Sequence, residues 1–141
     1  MSKSPDNNFK NAVSKHPGGE HVMKCFLCGT CTAGCPVSEI DNSFDPRRIM
    51  RQIHYGDKNK TLSDGEIWKC YQCHTCVAHC PQDVRFADIV RVLRKMAVSE
   101  DAFSSEFAGH IREIDLQARK QRLKQVSSLL SQNGLESGES K

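Results

Sequence analysis

Apolar positions along this chain recur at helical spacing and nowhere alternate as strand residues do. Phe9, Ala12 and Val13 lie on one side of a short segment that Asp6 is placed to cap and Pro17-Gly18-Gly19 to end. Ile49, Met50 and Ile53 recur on one face after Asp45-Pro46, an N-cap followed by proline at the first helical position, and Gly56 supplies the stop. Ser63-Asp64-Gly65-Glu66 has the form of a capping box and predicts a short helix through Ile67 and Trp68. Val84, Phe86, Ile89, Val90, Leu93 and Ala97 fall near helical spacing behind Asp83, with Arg91, Arg94 and Lys95 outward. A last amphipathic stripe runs from Phe103 through Phe107, Ile111, Ile114, Ala118, Leu123 and Val126 to Leu130. The pattern predicts an all-α protein.

Composition limits what these helices can bury. The chain has 141 residues, 38% hydrophobic and 6% aromatic, so the stretch from Lys24 to Val98 is short of apolar surface and needs a staple of another kind. No run of about 18 apolar residues exists, which predicts no membrane span, and the opening Met1-Ser2-Lys3-Ser4-Pro5-Asp6 lacks the apolar core of a secretory signal, so a cytoplasmic location is expected. The net charge of +3 is spread thinly, with as many acidic as basic residues between 25 and 80. Nucleic acid, which calls for a concentrated basic face, is not an expected partner.

The staple is written twice. Cys25-Phe26-Leu27-Cys28-Gly29-Thr30-Cys31-Thr32-Ala33-Gly34-Cys35-Pro36 and Cys70-Tyr71-Gln72-Cys73-His74-Thr75-Cys76-Val77-Ala78-His79-Cys80-Pro81 both read C-x2-C-x2-C-x3-C-P, and together they use all eight cysteines. That run is the bacterial ferredoxin signature for cubane [4Fe–4S] clusters, in which three closely spaced thiolates wrap one cluster and the fourth, beside a proline, reaches the other. Two [4Fe–4S] clusters are therefore expected, one on Cys25, Cys28, Cys31 and Cys80 and the other on Cys70, Cys73, Cys76 and Cys35. Structural zinc takes its cysteines as two separated pairs, and a disulfide framework belongs to secreted chains, so both fit the spacing less well. Gly29, Thr30, Ala33, Gly34 and Thr75 leave room for the clusters, and His74 and His79 stand beside ligands where they can tune potential. His16 and His21 read as solvated loop residues. Arg47, Arg48 and Arg51 read as a solvated face or a cationic surface that offsets cluster charge. Loading two oxidised clusters of about −2 each would bring the protein to about −1.

The 34 residues between Cys35 and Cys70 carry helix caps and no strand alternation, which resembles the α-helical ferredoxin fold. Cys28-Gly29-Thr30-Cys31-Thr32-Ala33-Gly34-Cys35-Pro36, Asp45-Pro46-Arg47-Arg48 and Trp68 to Cys76 resemble the C-subunit family of heterodisulfide reductase over residues 20–98. The resemblance implies an electron-transfer component without catalytic residues of its own. Its implied partners are the flavin-containing iron–sulfur component of such a complex, its A subunit, and the catalytic component, its B subunit, acting in methanogens on the coenzyme M–coenzyme B heterodisulfide. An iron–sulfur subunit of a quinone-linked dehydrogenase and a purely structural cluster module are the alternatives. The expected organisation is an N-terminal extension (1–19), the cluster domain (20–98), a helical extension (99–132) that packs on a partner, and a disordered tail (133–141).

Overall fold

The structure, a computed structural model, describes residues 4–135, and within them every regular element is helical. The elements are α1 (Phe9–Ser14), a 3-10 turn (Val22–Lys24), α2 (Thr30–Ala33), α3 (Pro36–Ile40), α4 (Pro46–Tyr55), α5 (Lys58–Ser63), a second 3-10 turn (Glu66–Lys69), α6 (Thr75–His79), α7 (Phe86–Ser99) and α8 (Ser105–Gln132). The chain forms two compact units, residues up to 104 and residues from 105.

The first unit is a cluster of short helices around α4 and α7. Pro46 opens α4 with Asp45 capping it, its carboxylate accepting from Arg48 N at 3.2 Å, and Gly56 closes it at φ +79°. Both ends are as the sequence predicts. Ile49, Met50 and Ile53 of α4 and Ile89, Val90 and Leu93 of α7 are buried together with Phe9, Val13, Val22, Phe44 and Ile67, all essentially without exposure. Each such side chain contributes about 1.5–3 kcal/mol, and α1 packs against both long helices to bring in Phe9 and Val13.

Three caps differ from expectation. Asp6 lies before α1 and accepts from Asn8 N at 2.9 Å while Asn8 holds the N-cap position. Ser63 ends α5 instead of opening a helix, because Gly65 turns left-handed (φ +75°) and Glu66 leaves the backbone to pair with Arg48. Asp83 does not cap α7, whose N-cap is Arg85 at φ +63°; the Asp83 carbonyl instead meets His21 Nδ1 at 2.7 Å.

The second unit is α8, 28 residues long, with Ile114, Leu116, Leu123 and Leu129 exposed. Gly134 at φ +69° ends it, with Leu135 N donating to Leu130 O. Of the tail expected to be disordered, residues 136–141 lie outside the described residues, as do residues 1–3 at the other end. Among the described residues no helix is long and apolar enough to cross a membrane.

Candidate metal centre

Each cysteine motif folds in the same way. A 3-10 turn delivers the first cysteine, Cys25 or Cys70, in extended conformation. The chain then makes two left-handed steps, at Leu27 and Gly29 in the first motif and at Gln72 and His74 in the second, before a single helical turn carries the third cysteine. Left-handed backbone costs about 1–2 kcal/mol at a non-glycine residue and is kept where the surroundings demand it. Alternating left- and right-handed residues turns successive N–H groups inward, a concavity suited to an anion. Leu27 N points at Cys25 Sγ at 3.4 Å accordingly. The fourth cysteines, Cys35 and Cys80, are both extended (ψ +120°), the conformation imposed on a residue before proline, so neither can continue the helix behind it.

α2 and α6 pack against each other and bring the motifs together. Gly34 faces His79: a Cβ on Gly34 would lie 3.2 Å from His79 Nδ1, so the imidazole fills the space that glycine leaves. Two adjoining cavities result. One is lined by Cys25, Cys28, Cys31 and Cys80, with Arg47 and Met50 beside them. The other is lined by Cys35, Cys70, Cys73 and Cys76. Cys76 and Phe86 line both, forming the partition. All eight thiols are free of disulfides. Among the described residues no three His, Cys, Asp or Glu side chains converge as a mononuclear site requires. Thiols spread over a cavity wall, with inward amides and apolar neighbours, fit a polynuclear iron–sulfur group that reaches out to its ligands.

A protein-family model described as a 4Fe-4S dicluster domain matches residues 13–85. The C subunit of ferredoxin:CoB-CoM heterodisulfide reductase from Methanosarcina mazei is 33% identical over 115 residues, 74% of this chain and 69% of that one. The chain belongs to the 4Fe-4S dicluster family of heterodisulfide reductase C subunits. The C subunit of H(2):CoB-CoM heterodisulfide,ferredoxin reductase from Methanothermobacter thermautotrophicus is 36% identical over 92 residues, 65% of this chain and 49% of that one. The iron-sulfur C subunit of Methanopyrus kandleri CoB--CoM heterodisulfide reductase is 37% identical over 79 residues, 56% and 41% of the two chains. The chain thus spans about half the length of the Methanothermobacter relative.

Electrostatics divide the thiols of the chain. Burial pushes Cys31 and Cys76 up to about 11 and raises Cys25 and Cys70 as well. These thiols stay protonated at neutral pH until a metal displaces the proton. At Cys28 the Thr30 hydroxyl, 3.3 Å from the sulfur, draws the thiol below its usual range. Cys28 and Cys73 are exposed, each beside an exposed aromatic, Phe26 and Tyr71.

One feature escaped the sequence reading. Arg94, expected to face outward, reaches back from α7 to donate to the carbonyls of Ile67, Trp68 and Cys70 at 3.0, 3.2 and 2.8 Å, and its guanidinium lies 5.3 Å from the Trp68 ring centre. Arg47, read as part of a solvated face or of a cationic surface that offsets cluster charge, is exposed and lines the first cavity, with its Cδ 3.3 Å from where a Gly29 Cβ would be. Helical spacing gives the direction of a Cβ, and a side chain as long as arginine can double back from it.

Proposed function

We propose that the chain relays single electrons through two [4Fe–4S] clusters, one on Cys25, Cys28, Cys31 and Cys80 and the other on Cys70, Cys73, Cys76 and Cys35, within a heterodisulfide reductase-like complex. The observation that carries this reading is the lining of the cavities: around each stand three thiols of one motif and the proline-flanked thiol of the other, with Cys76 on the wall that the two cavities share. Such clusters supply one-electron chemistry. The chain's own residues do the rest. Met50, Val84 and Phe86 keep water from the first site, and left-handed turns aim amides at the sulfurs. The exposed Cys28 and Cys73 give each site its own edge at the surface, which favours a carrier over a buried structural staple. The implied partners are the flavin-containing iron–sulfur A subunit of such a complex and its catalytic B subunit, with the protein in the cytoplasm.

The pairing is tested by cysteine replacement in anaerobically purified protein. Wild type should carry about eight irons and eight sulfides. Cys35→Ser should chiefly damage the EPR signal that Cys73→Ser also removes, and Cys80→Ser the signal that Cys28→Ser removes. Damage confined to each mutated cysteine's own motif would break the pairing, and zinc in place of iron after anaerobic reconstitution would end the cluster reading.

A further inference from the structure

The loops that join the first two cysteines of each motif differ in one contact to sulfur. Leu27 and Gln72 occupy the same place, two residues beyond the first cysteine, and share φ +59°. Each turns its backbone amide toward that cysteine, and Thr30 and Thr75 stand alike at 3.3 Å from Cys28 and Cys73. Leu27 has nothing more to give. Gln72 brings its side-chain Nε2 to 3.4 Å from Cys70 Sγ and 3.2 Å from the carbonyl oxygen of Ala87.

That pair of contacts fixes the carboxamide. The Ala87 carbonyl can only accept, so the nitrogen and not the oxygen of Gln72 must face it, and the second N–H then has the sulfur as its partner. Ala87 is buried in the first turn of α7, which makes the anchor rigid.

We propose that Gln72 sets the reduction potential of the second site, donating to the Cys70 thiolate an N–H···S hydrogen bond that Leu27 cannot supply at the first. Reduction places one further negative charge on the cluster and its thiolates. A hydrogen bond to a thiolate strengthens as that charge grows, so the donor stabilises the reduced form more than the oxidised form and raises the potential. The inference rests on the ligand reading above, and concerns a side chain that holds no iron itself.

The experiment is a redox titration of the anaerobic full-length protein followed by EPR, on wild type, Gln72→Met and Gln72→Glu. Methionine keeps the length without the N–H groups; glutamate puts a carboxylate in their place. Both variants should retain iron and sulfide and shift one midpoint downward, glutamate further than methionine, with the other midpoint unmoved. The signal that shifts should be the one that Cys73→Ser removes. A wild-type protein lacking a second [4Fe–4S] signal would overturn the ligand reading and this inference together. Two clusters with unmoved midpoints in both variants, or equal shifts in both clusters, would overturn the role of Gln72 alone. Loss of the second cluster in both variants would make Gln72 a structural residue and likewise end the proposal.

Discussion

A Cβ added to Gly19 would sit 2.1 Å from the backbone carbonyl oxygen of Val13, and neither backbone can yield without moving α1 off the core. Gly19→Ala should cost about 2–3 kcal/mol in denaturant unfolding of the loaded protein. Gly34→Ala, whose tightest contact is the His79 ring at 3.2 Å with the Thr30 carbonyl at an ordinary 3.7 Å, should cost less. His54 is the other residue whose setting sets a measurable limit. Its Nε2 is buried and finds no hydrogen-bond partner among the described residues, and burial holds its pKa below the ordinary 6.5. Below pH 6.5 the unfolded chain then binds a proton that the folded chain refuses, so stability falls as pH drops through about 6.5 toward the depressed folded value. Melting of wild type and His54→Gln, compared at each pH from 8 to 5.5, should show the variant less sensitive to acid; parallel curves would remove His54 from the acid limit.

The helices owe their positions to side chains that leave their own element. Thr32 of α2 donates to Asp45 Oδ1 at 2.7 Å and accepts from Arg47 N at 2.9 Å, so the cap of α4 also ties the first motif to that helix. Arg94 does the same for the second motif from α7, holding the turn that delivers Cys70, while Phe103 stacks edge-on against Trp68 at 5.5 Å. Arg94→Met keeps the stem over the indole and removes the donors to three carbonyls. It should cost about 2–3 kcal/mol and weaken the second site's cluster before the first's. Urea melts and site-resolved EPR measure the two effects; equal loss at both sites would show Arg94 supporting the fold as a whole.

Across the whole molecule, each cavity closes only when the segments 25–35 and 70–80 meet. The fully buried apolar side chains lie outside the two motifs, whose own residues are only partly buried. Cluster loading and folding should therefore be one event. Removing iron with a chelator under anaerobic reducing conditions should lower the melting temperature and broaden the transition, with Trp68 fluorescence rising as the quenching cluster near Cys70 leaves. An unchanged melting curve after complete iron removal would show that the helices hold the motif segments together unaided.

What the sequence determined by itself was local. Helical spacing excluded strands, Asp45-Pro46 and Gly56 marked the ends of α4, and the doubled cysteine run pointed to the chemistry, because a cap, a stop and a ligand loop are all decided within a few residues. Caps failed where another partner took the capping side chain, as Arg48 does for Glu66 and the nearby Asn8 amide does for Asp6. The packing of α2 on α6 decided the rest: which thiols line one cavity, why position 34 has no side chain opposite His79, and that Cys76 and Phe86 divide two sites. Such contacts join residues far apart in the chain, such as Gly34 and His79. No pattern along a single helix encodes them, since they exist only once the loops between have closed.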